Sequence, residues 1–541
     1  MSDSPLHGQM PERESVETLV SPADAADSGE VVEKRGNATV FTQNALLSVG
    51  RLVISMAVGF ILPSFLVHRL PVATYSAWVL ILQMSAYVNY LDFGLQTGIS
   101  KYVAEYNVKK DPFGLNMRAS AGLALLLIVS AVGVLLSVLM AWEAPHLFRE
   151  MPPALYRDVR LGLLFVGVST SFNLVCNIFA SIFTGLQRYA VPTVLALINR
   201  ILYVAVVLSA VSFHSTLAMM GFLVAVVNIS TGLLHIVAWR RFAGHVRLNL
   251  RRLDFGVLRE MLAFCSTLAV FTVAMLCISG LDVTIVGRYD FRQTGFYSIA
   301  ATPTNLMIGI MSAALAPLLP AASAMSVDKT STQMGAILAK ATRYSVALLI
   351  LSGLPLLVGG YWILRLWVGA AYASQIEGYL RILVLANIVR NSFAPYANMI
   401  VATNSQKIGI ASASAEAVVN LSVSVYLARH IGALGVAYGK LLGAFVVVGL
   451  HIGLSMHYTY SKLSITRMRL FLSGILRPLL IAVPAAILVR SWWRDGPPSL
   501  SGPVWAAWLL STLLLLWFGS MDAVERHQFI AFAARRVSYT R

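Results

Sequence analysis

The stretch ASAGLALLLIVSAVGVLLSVLMA, residues 119–141, carries no charged residue over 23 positions. As a helix it reaches about 34 Å, enough to cross a hydrocarbon core about 30 Å thick. Its apolar residues are continuous rather than alternating, which excludes a strand of a membrane barrel. Comparable runs recur at 45–67, 74–95, 161–183, 191–211, 216–239, 262–286, 296–317, 344–366, 379–402, 408–428, 435–457, 471–489 and 504–518. The chain therefore reads as an all-α polytopic membrane protein with about fourteen transmembrane helices.

Composition agrees. Of 541 residues, 57% are hydrophobic and 12% charged, with a mean hydropathy of +0.73. Soluble domains carry about 25% charged residues, so a soluble enzyme is excluded. Lys and Arg number 41 against 24 acidic residues, a net charge of +17. The cations fall mainly in short connections, where they set orientation and meet anionic lipid, so no nucleic-acid partner is expected. They outnumber those of the opposite loops by about two to one on the side that holds both termini, which predicts cytoplasmic termini. Cys176, Cys265 and Cys277 sit in apolar runs without metal spacing, and His235 and His451 are isolated. No GxxxxGK[ST] occurs, and neither a metal nor a cofactor is expected.

Residues 1–40 are polar, without an apolar run, and read as a disordered cytoplasmic tail. Two six-helix lobes follow at 41–240 and 261–460, joined by a basic linker at 241–260. Two further helices occupy 461–520, and a basic cytoplasmic tail ends the chain at 521–541. An internal repeat supports the two lobes: TYSAW (74–78) matches FYSIA (296–300), TGLQRY (184–189) matches ATNSQKIG (402–409), and Asn199 and Asn420 lie at similar depth. Even-numbered copies share one topology and are related by an axis along the membrane normal.

A charge inside the bilayer costs about 2.5–3.5 kcal/mol and marks a functional candidate. Arg200 and Arg390 fall near helix centres, Arg390 in a polar cluster with Asn387 and Asn391; a guanidinium fork suits a diphosphate. The bland alternatives are buried ion pairing or snorkelling. Arg51 would line the cytoplasmic mouth or snorkel. Glu416 would neutralise a cavity arginine or carry a coupling proton. Lys440, among Gly435, Gly439 and Gly443, reads as a packed position with a snorkelling side chain. Asp92 and Asp282 lie near helix ends, where capping or gating is expected, with Asp282 pairing to Arg288 across two turns around Gly287.

The segments YSAWVLILQMSAYVNYLDFGLQTGISKYVAEYN (75–107), GLQRY (185–189), LDVTIVGRYDFRQTGFYSIA (281–300) and HIGALGVAYGKLLG (430–443) resemble the polysaccharide-flippase branch of the multidrug, oligosaccharidyl-lipid and polysaccharide exporter superfamily. The likeness covers roughly residues 40–490. It implies a V-shaped pair of six-helix lobes, in the bacterial cytoplasmic (inner) membrane, that moves undecaprenyl-diphosphate-linked oligosaccharide outward by alternating access. It also implies a polysaccharide polymerase and export machinery as partners, and central arginines, a place Arg51, Arg200 and Arg390 fill by position. The bilayer itself is the remaining partner. Two other readings stay open: an ion-coupled drug or small-cation antiporter of the same superfamily, and a membrane-embedded polysaccharide polymerase or ligase using the loop with Glu143, His146, Arg149 and Glu150.

Overall fold

A computed structural model describes residues 54–530 except 55, 252, 493–500, 524, 528 and 529. Arg51, the 1–40 segment and most of the 521–541 segment lie outside the described residues. The helices are α1 (Met56–Arg69), α2 (Val72–Tyr90), α3 (Leu95–Val108), α4 (Pro112–Leu147), α5 (Tyr156–Gly185), α6 (Ala190–Ser212) and α7 (Leu217–Phe242). Then come α8 (Phe255–Met275), α9 (Asp282–Tyr289), α10 (Thr294–Leu315), α11 (Leu318–Asp328), α12 (Ser331–Val368), α13 (Ala370–Asn391) and α14 (Ala394–Ala402). The chain continues with α15 (Gln406–Ile431), α16 (Ala433–Leu450), α17 (Arg477–Trp492) and α18 (Ser501–Ser520).

Among the described residues there is no strand. Among the described residues, eight helices are long and apolar enough to cross a membrane, or nine if Phe255–Ser266 and Leu268–Gly280, bent by 42°, form one span. This is a multi-pass membrane protein. Hydrocarbon offers no hydrogen bonds, so the chain closes its backbone ladder within each span. Polar residues then set the ends at the surfaces. Asp111 accepts from Gly114 N at 2.9 Å with Pro112 opening α4, Asp254 accepts from Gly256 N at 2.6 Å, and Thr330 with Gln333 forms a capping box on α12.

Three predicted spans are interrupted. The 74–95 run breaks after Tyr90, and Gly94 (φ +80°) starts α3; a Cβ there would meet Leu268 Cβ of α8 at 2.9 Å. The 379–402 run breaks at Asn391, because Pro395 in the first turn of α14 has no N–H with which to continue the ladder. Within 262–286, a π-helical turn at Leu276–Gly280 separates α8 from α9. The two matched turns, 184–189 and 402–409, both place a non-glycine residue at positive φ, Gln187 and Asn404. Lys110 and His214 do the same at other helix ends, so this feature belongs to helix termination rather than to the repeat.

Helices α2 to α7 pack chiefly on one another, as do α10 to α16. Where the first turns of α2 and α10 meet, one apolar core joins the two groups through Tyr75, Trp78, Tyr297 and Ala300. Gly295 N donates to Ser76 Oγ at 3.1 Å, and a Cβ on Gly295 would lie 2.6 Å from the Tyr75 ring. At the opposite face, richer in Lys and Arg, α8 joins the first group through a second core containing Ile99, Phe183, Met261 and Cys265. Helices α17 and α18 pack against each other and against α12, where Trp508 and Ala482 meet Val346 and Ile350.

Candidate functional site

The π-helical turn hands the chain to α9, whose first residue, Asp282, is buried. Lys440 Nζ of α16 donates to Asp282 Oδ2 at 2.5 Å; their side chains are 16% and 5% exposed. Lys440 reaches that depth because its glycine neighbours bring α16 onto α15. Gly439 lies against Ser424, and a Cβ on Gly443 would come within 3.0 Å of Asn420 Cβ. Asn420 Nδ2 in turn donates to the carbonyls of Cys277 and Ile278, at 3.0 and 2.9 Å, and so ties α15 to the π-helical turn.

One turn before Asn420, Glu416 Oε1 accepts from Arg390 Nε at 2.5 Å. The acid is 3% exposed and the arginine 27%. Arg390 Nη2 lies 3.9 Å from Met275 Sδ of α8. His451 of the neighbouring π-helical turn stacks against Phe393 at 6.2 Å. Two ion pairs, Asp282–Lys440 and Glu416–Arg390, thus lie side by side at the junction of α8, α9, α13, α15 and α16. The first helix group reaches them through α2: Gln83 Nε2 donates to Gly280 O at 2.8 Å, and the hydroxyls of Tyr87 and Thr284 are hydrogen-bonded.

Several expectations change. Asp282 does not pair with Arg288. Six residues at 100° each leave the two side chains about 120° apart around one helix, and Arg288 Nη1 instead donates to Leu147 O at 3.2 Å. Lys440 does not snorkel, because a buried carboxylate on a neighbouring helix holds it. Asp92 accepts from Gln96 N at 3.2 Å in the first turn of α3, whose N-cap position is taken by Gly94. Asn387 and Asn391 are buried with their amide nitrogens turned to the carbonyls of Leu383 and Asn387, each at 2.9 Å. Arg200 lies over the Tyr203 ring at 5.8 Å, with its buried Nε lacking a hydrogen-bond partner among the described residues. Its helix, α6, packs on α7 and α5, whereas α13 packs on α10, α12 and α16, so Arg200 and Arg390 are not brought together.

A latch between α4 and α8 had no reading in the sequence. Arg118 Nη2 donates to Glu260 Oε2 at 3.0 Å, and its guanidinium sits 3.8 Å from the Tyr106 ring centroid. Lys101 caps the Phe264 ring at 4.5 Å. The available signal was Tyr102 and Tyr106, four residues apart and therefore on one helix face. Among the described residues no group of three His, Cys, Asp or Glu side chains gathers to hold a metal.

The fold has relatives among solved structures. "Lipid II flippase MurJ, inward closed conformation" aligns with a TM-score of 0.68 at 14% identity, over 90% of this chain and 100% of its own. The fold is that of the MOP transporters. A second member, described as an inward-facing multidrug resistance MATE family transporter of the MOP superfamily, aligns with a TM-score of 0.60 at 14% identity, over 78% and 94%. The resemblance read from the sequence and the observed fold therefore agree. Coverage of 90% carries the MurJ alignment beyond Tyr458 into the C-terminal helices. No known protein-family profile and no curated protein matches the sequence.

Proposed function

We propose that this protein is a flippase that moves an undecaprenyl-diphosphate-linked oligosaccharide across the bacterial cytoplasmic membrane, with both termini cytoplasmic. Its two six-helix lobes alternate access, and the product feeds surface-polysaccharide assembly. The supporting observation is the asymmetry of the Arg390–Glu416 pair. The carboxylate is buried and engaged, while the arginine stays partly open. Of five guanidinium N–H donors, one goes to Glu416 and another faces a thioether, a weak acceptor. The remaining donors suit the oxygens of a diphosphate, to which charge-assisted bonds form in pairs. A cation carrier needs an available carboxylate, whereas here Glu416 and Asp282 are each held by a cation of this chain. Arg200, a charge in the middle of the apolar helix α6, is taken as a second anion contact.

The physical logic is that of an amphiphile. A hydrated sugar cannot cross hydrocarbon unaided, but its prenyl chain never leaves it. Only the head group needs protein. The test is translocation of such a glycolipid in proteoliposomes by wild type, Arg390→Ala, Arg390→Lys and Arg200→Ala at matched protein levels. Loss with Ala and partial retention with Lys is the expected pattern, since an ammonium keeps the charge without the fork. Unchanged translocation in both Ala variants would reduce these arginines to structural partners.

A further inference from the structure

The start of α4 and the segment between α7 and α8 frame a pocket of about 350 Å³ on the face richer in Lys and Arg. That volume is within the range of about 300–1,000 Å³ typical of ligand sites. Phe113, Asn116, Met117, Ser120, Arg247 and Asn249 line it. The first four share one side of α4, because they recur at intervals of three and four residues. The backbone of the opposite wall hangs on that helix: Arg247 N donates to Asn116 Oδ1 at 2.8 Å and Asn249 N to Ser120 Oγ at 2.9 Å. Arg251 N donates to Asn249 Oδ1 at 2.9 Å.

These bonds fix which polar atoms stay free. Both amide oxygens already accept from backbone N–H groups, and Ser120 Oγ gives its own proton to Asn116 O at 2.7 Å. What remains is the amide N–H groups of Asn116 and Asn249 and the exposed Arg247 guanidinium, none of which has a partner among the described residues. All of these groups are donors, so the pocket suits a group that only accepts, such as a phosphate. Its surroundings have the same sign. Glu105 is held by Lys109 and Glu260 by Arg118, while Asp111 and Asp254 cap α4 and α8. Arg240, Arg241, Arg251 and Arg259 are exposed, with no ion pair among the described residues.

Depth identifies the source of the phosphate. Ser120 lies at the edge of the apolar run 119–141, and Phe113, six residues earlier, stands about 9 Å beyond it. The polar layer on each side of a hydrocarbon core is about 5–8 Å deep, so the pocket spans the level of the lipid head groups. Phe113 at its rim is 69% exposed, and Phe255, which opens α8 seven residues before the run 262–286, is 83% exposed. Phenylalanine is among the side chains that settle at this boundary. We propose that the pocket binds the phosphate of an anionic phospholipid from the leaflet on that face. The bound lipid bridges α4 and the segment that leads into α8. This site is separate from the Arg390–Glu416 pair and does not depend on which substrate is carried.

The test measures binding of fluorescent phosphatidylglycerol and phosphatidylcholine to the full-length protein in a neutral detergent. Phosphatidylglycerol should bind the wild type at least about tenfold more tightly, the equivalent of one charge-assisted bond. Arg247→Gln removes an exposed, unbonded cation, and Asn116→Asp keeps the acceptor for Arg247 N while removing the donor; size-exclusion profiles verify folding. Each should weaken phosphatidylglycerol binding about tenfold. Lys329→Gln, an exposed cation outside the pocket on the same face, should leave it within about twofold. Glycerol 3-phosphate at about 100-fold excess should not displace the lipid, since it lacks the chains that hold a phosphate at this depth. Equal affinity for the two lipids, equal loss in Arg247→Gln and Lys329→Gln, or undiminished binding in both pocket variants would overturn the assignment. Displacement by glycerol 3-phosphate would show a site for soluble phosphates and would overturn it too.

Discussion

Lys440→Met, which removes the ammonium and keeps most of the side-chain volume, strands the Asp282 carboxylate at 5% exposure. Breaking one half of a buried pair typically costs about 3–5 kcal/mol. The expected destabilisation is therefore about 3–5 kcal/mol. The double variant Asp282→Asn/Lys440→Met removes both charges and should return to within about 1 kcal/mol of wild type, because desolvation offsets most of what a buried pair gains. The Glu416–Arg390 pair should behave asymmetrically. Arg390→Met strands an acid at 3% exposure, whereas Glu416→Gln leaves an arginine at 27%, which water can reach, so the first should cost more. Titration with sodium dodecyl sulfate in mixed micelles, followed by circular dichroism, reads these differences. A Lys440→Met protein within about 1 kcal/mol of wild type, or a double variant as damaged as the single, would refute the reasoning.

Arg118→Ala should change stability by less than about 1 kcal/mol, since Glu260 is 45% exposed, but it should raise the maleimide labelling rate of buried Cys265 beneath the latch; an unchanged rate would show that the latch does not hold α8. Gly439→Ala drives a methyl group into Ser424 and should cost about 1–3 kcal/mol in the same detergent titration, more than Gly443→Ala, whose Cβ meets Asn420 Cβ at 3.0 Å. Beyond α18, the hydrogen bond from Arg477 holds the Asp522 carboxyl below its usual range. Burial pushes Glu525 up, but hydrogen bonds from Asp522 N and Lys340 outweigh it and hold that group below its usual range too. Folded-state depression means that this stabilisation is present above the unfolded carboxylate range, near pH 4, and is lost as pH falls through the folded values. Hydrogen exchange in α18 should therefore rise as pH drops below about 4 after correction for intrinsic rates, and Arg477→Ala should flatten that dependence.

The helical spans were legible because hydrocarbon makes secondary structure a local matter. A run such as 119–141 can satisfy its backbone only within itself, whatever its neighbours do. Accordingly α4, α5, α6 and α7 contain their predicted spans, or in the case of 216–239 all but its capping first residue. The local signals that went unused were punctuation: Gly94 inside 74–95 and Pro395 inside 379–402 each interrupt a run that hydropathy alone leaves continuous. Arg390 was legible as a charge in an apolar segment, and Glu416 as an acid at comparable depth.

What the residues alone determined was which groups would lie in hydrocarbon and therefore need partners. Which partner each one took was decided only by tertiary packing. Asp282 had Arg288 six positions away, yet it took Lys440 at a separation of 158 residues, because helical rotation turned the near cation aside and glycines on α16 brought the far one close. Arg118 and Glu260 met across 142 residues on the same principle. Burial cost is a property of the side chain and its depth, readable position by position. The counter-ion that offsets it depends on which helix faces come together, and that is set by the shapes of many side chains at once.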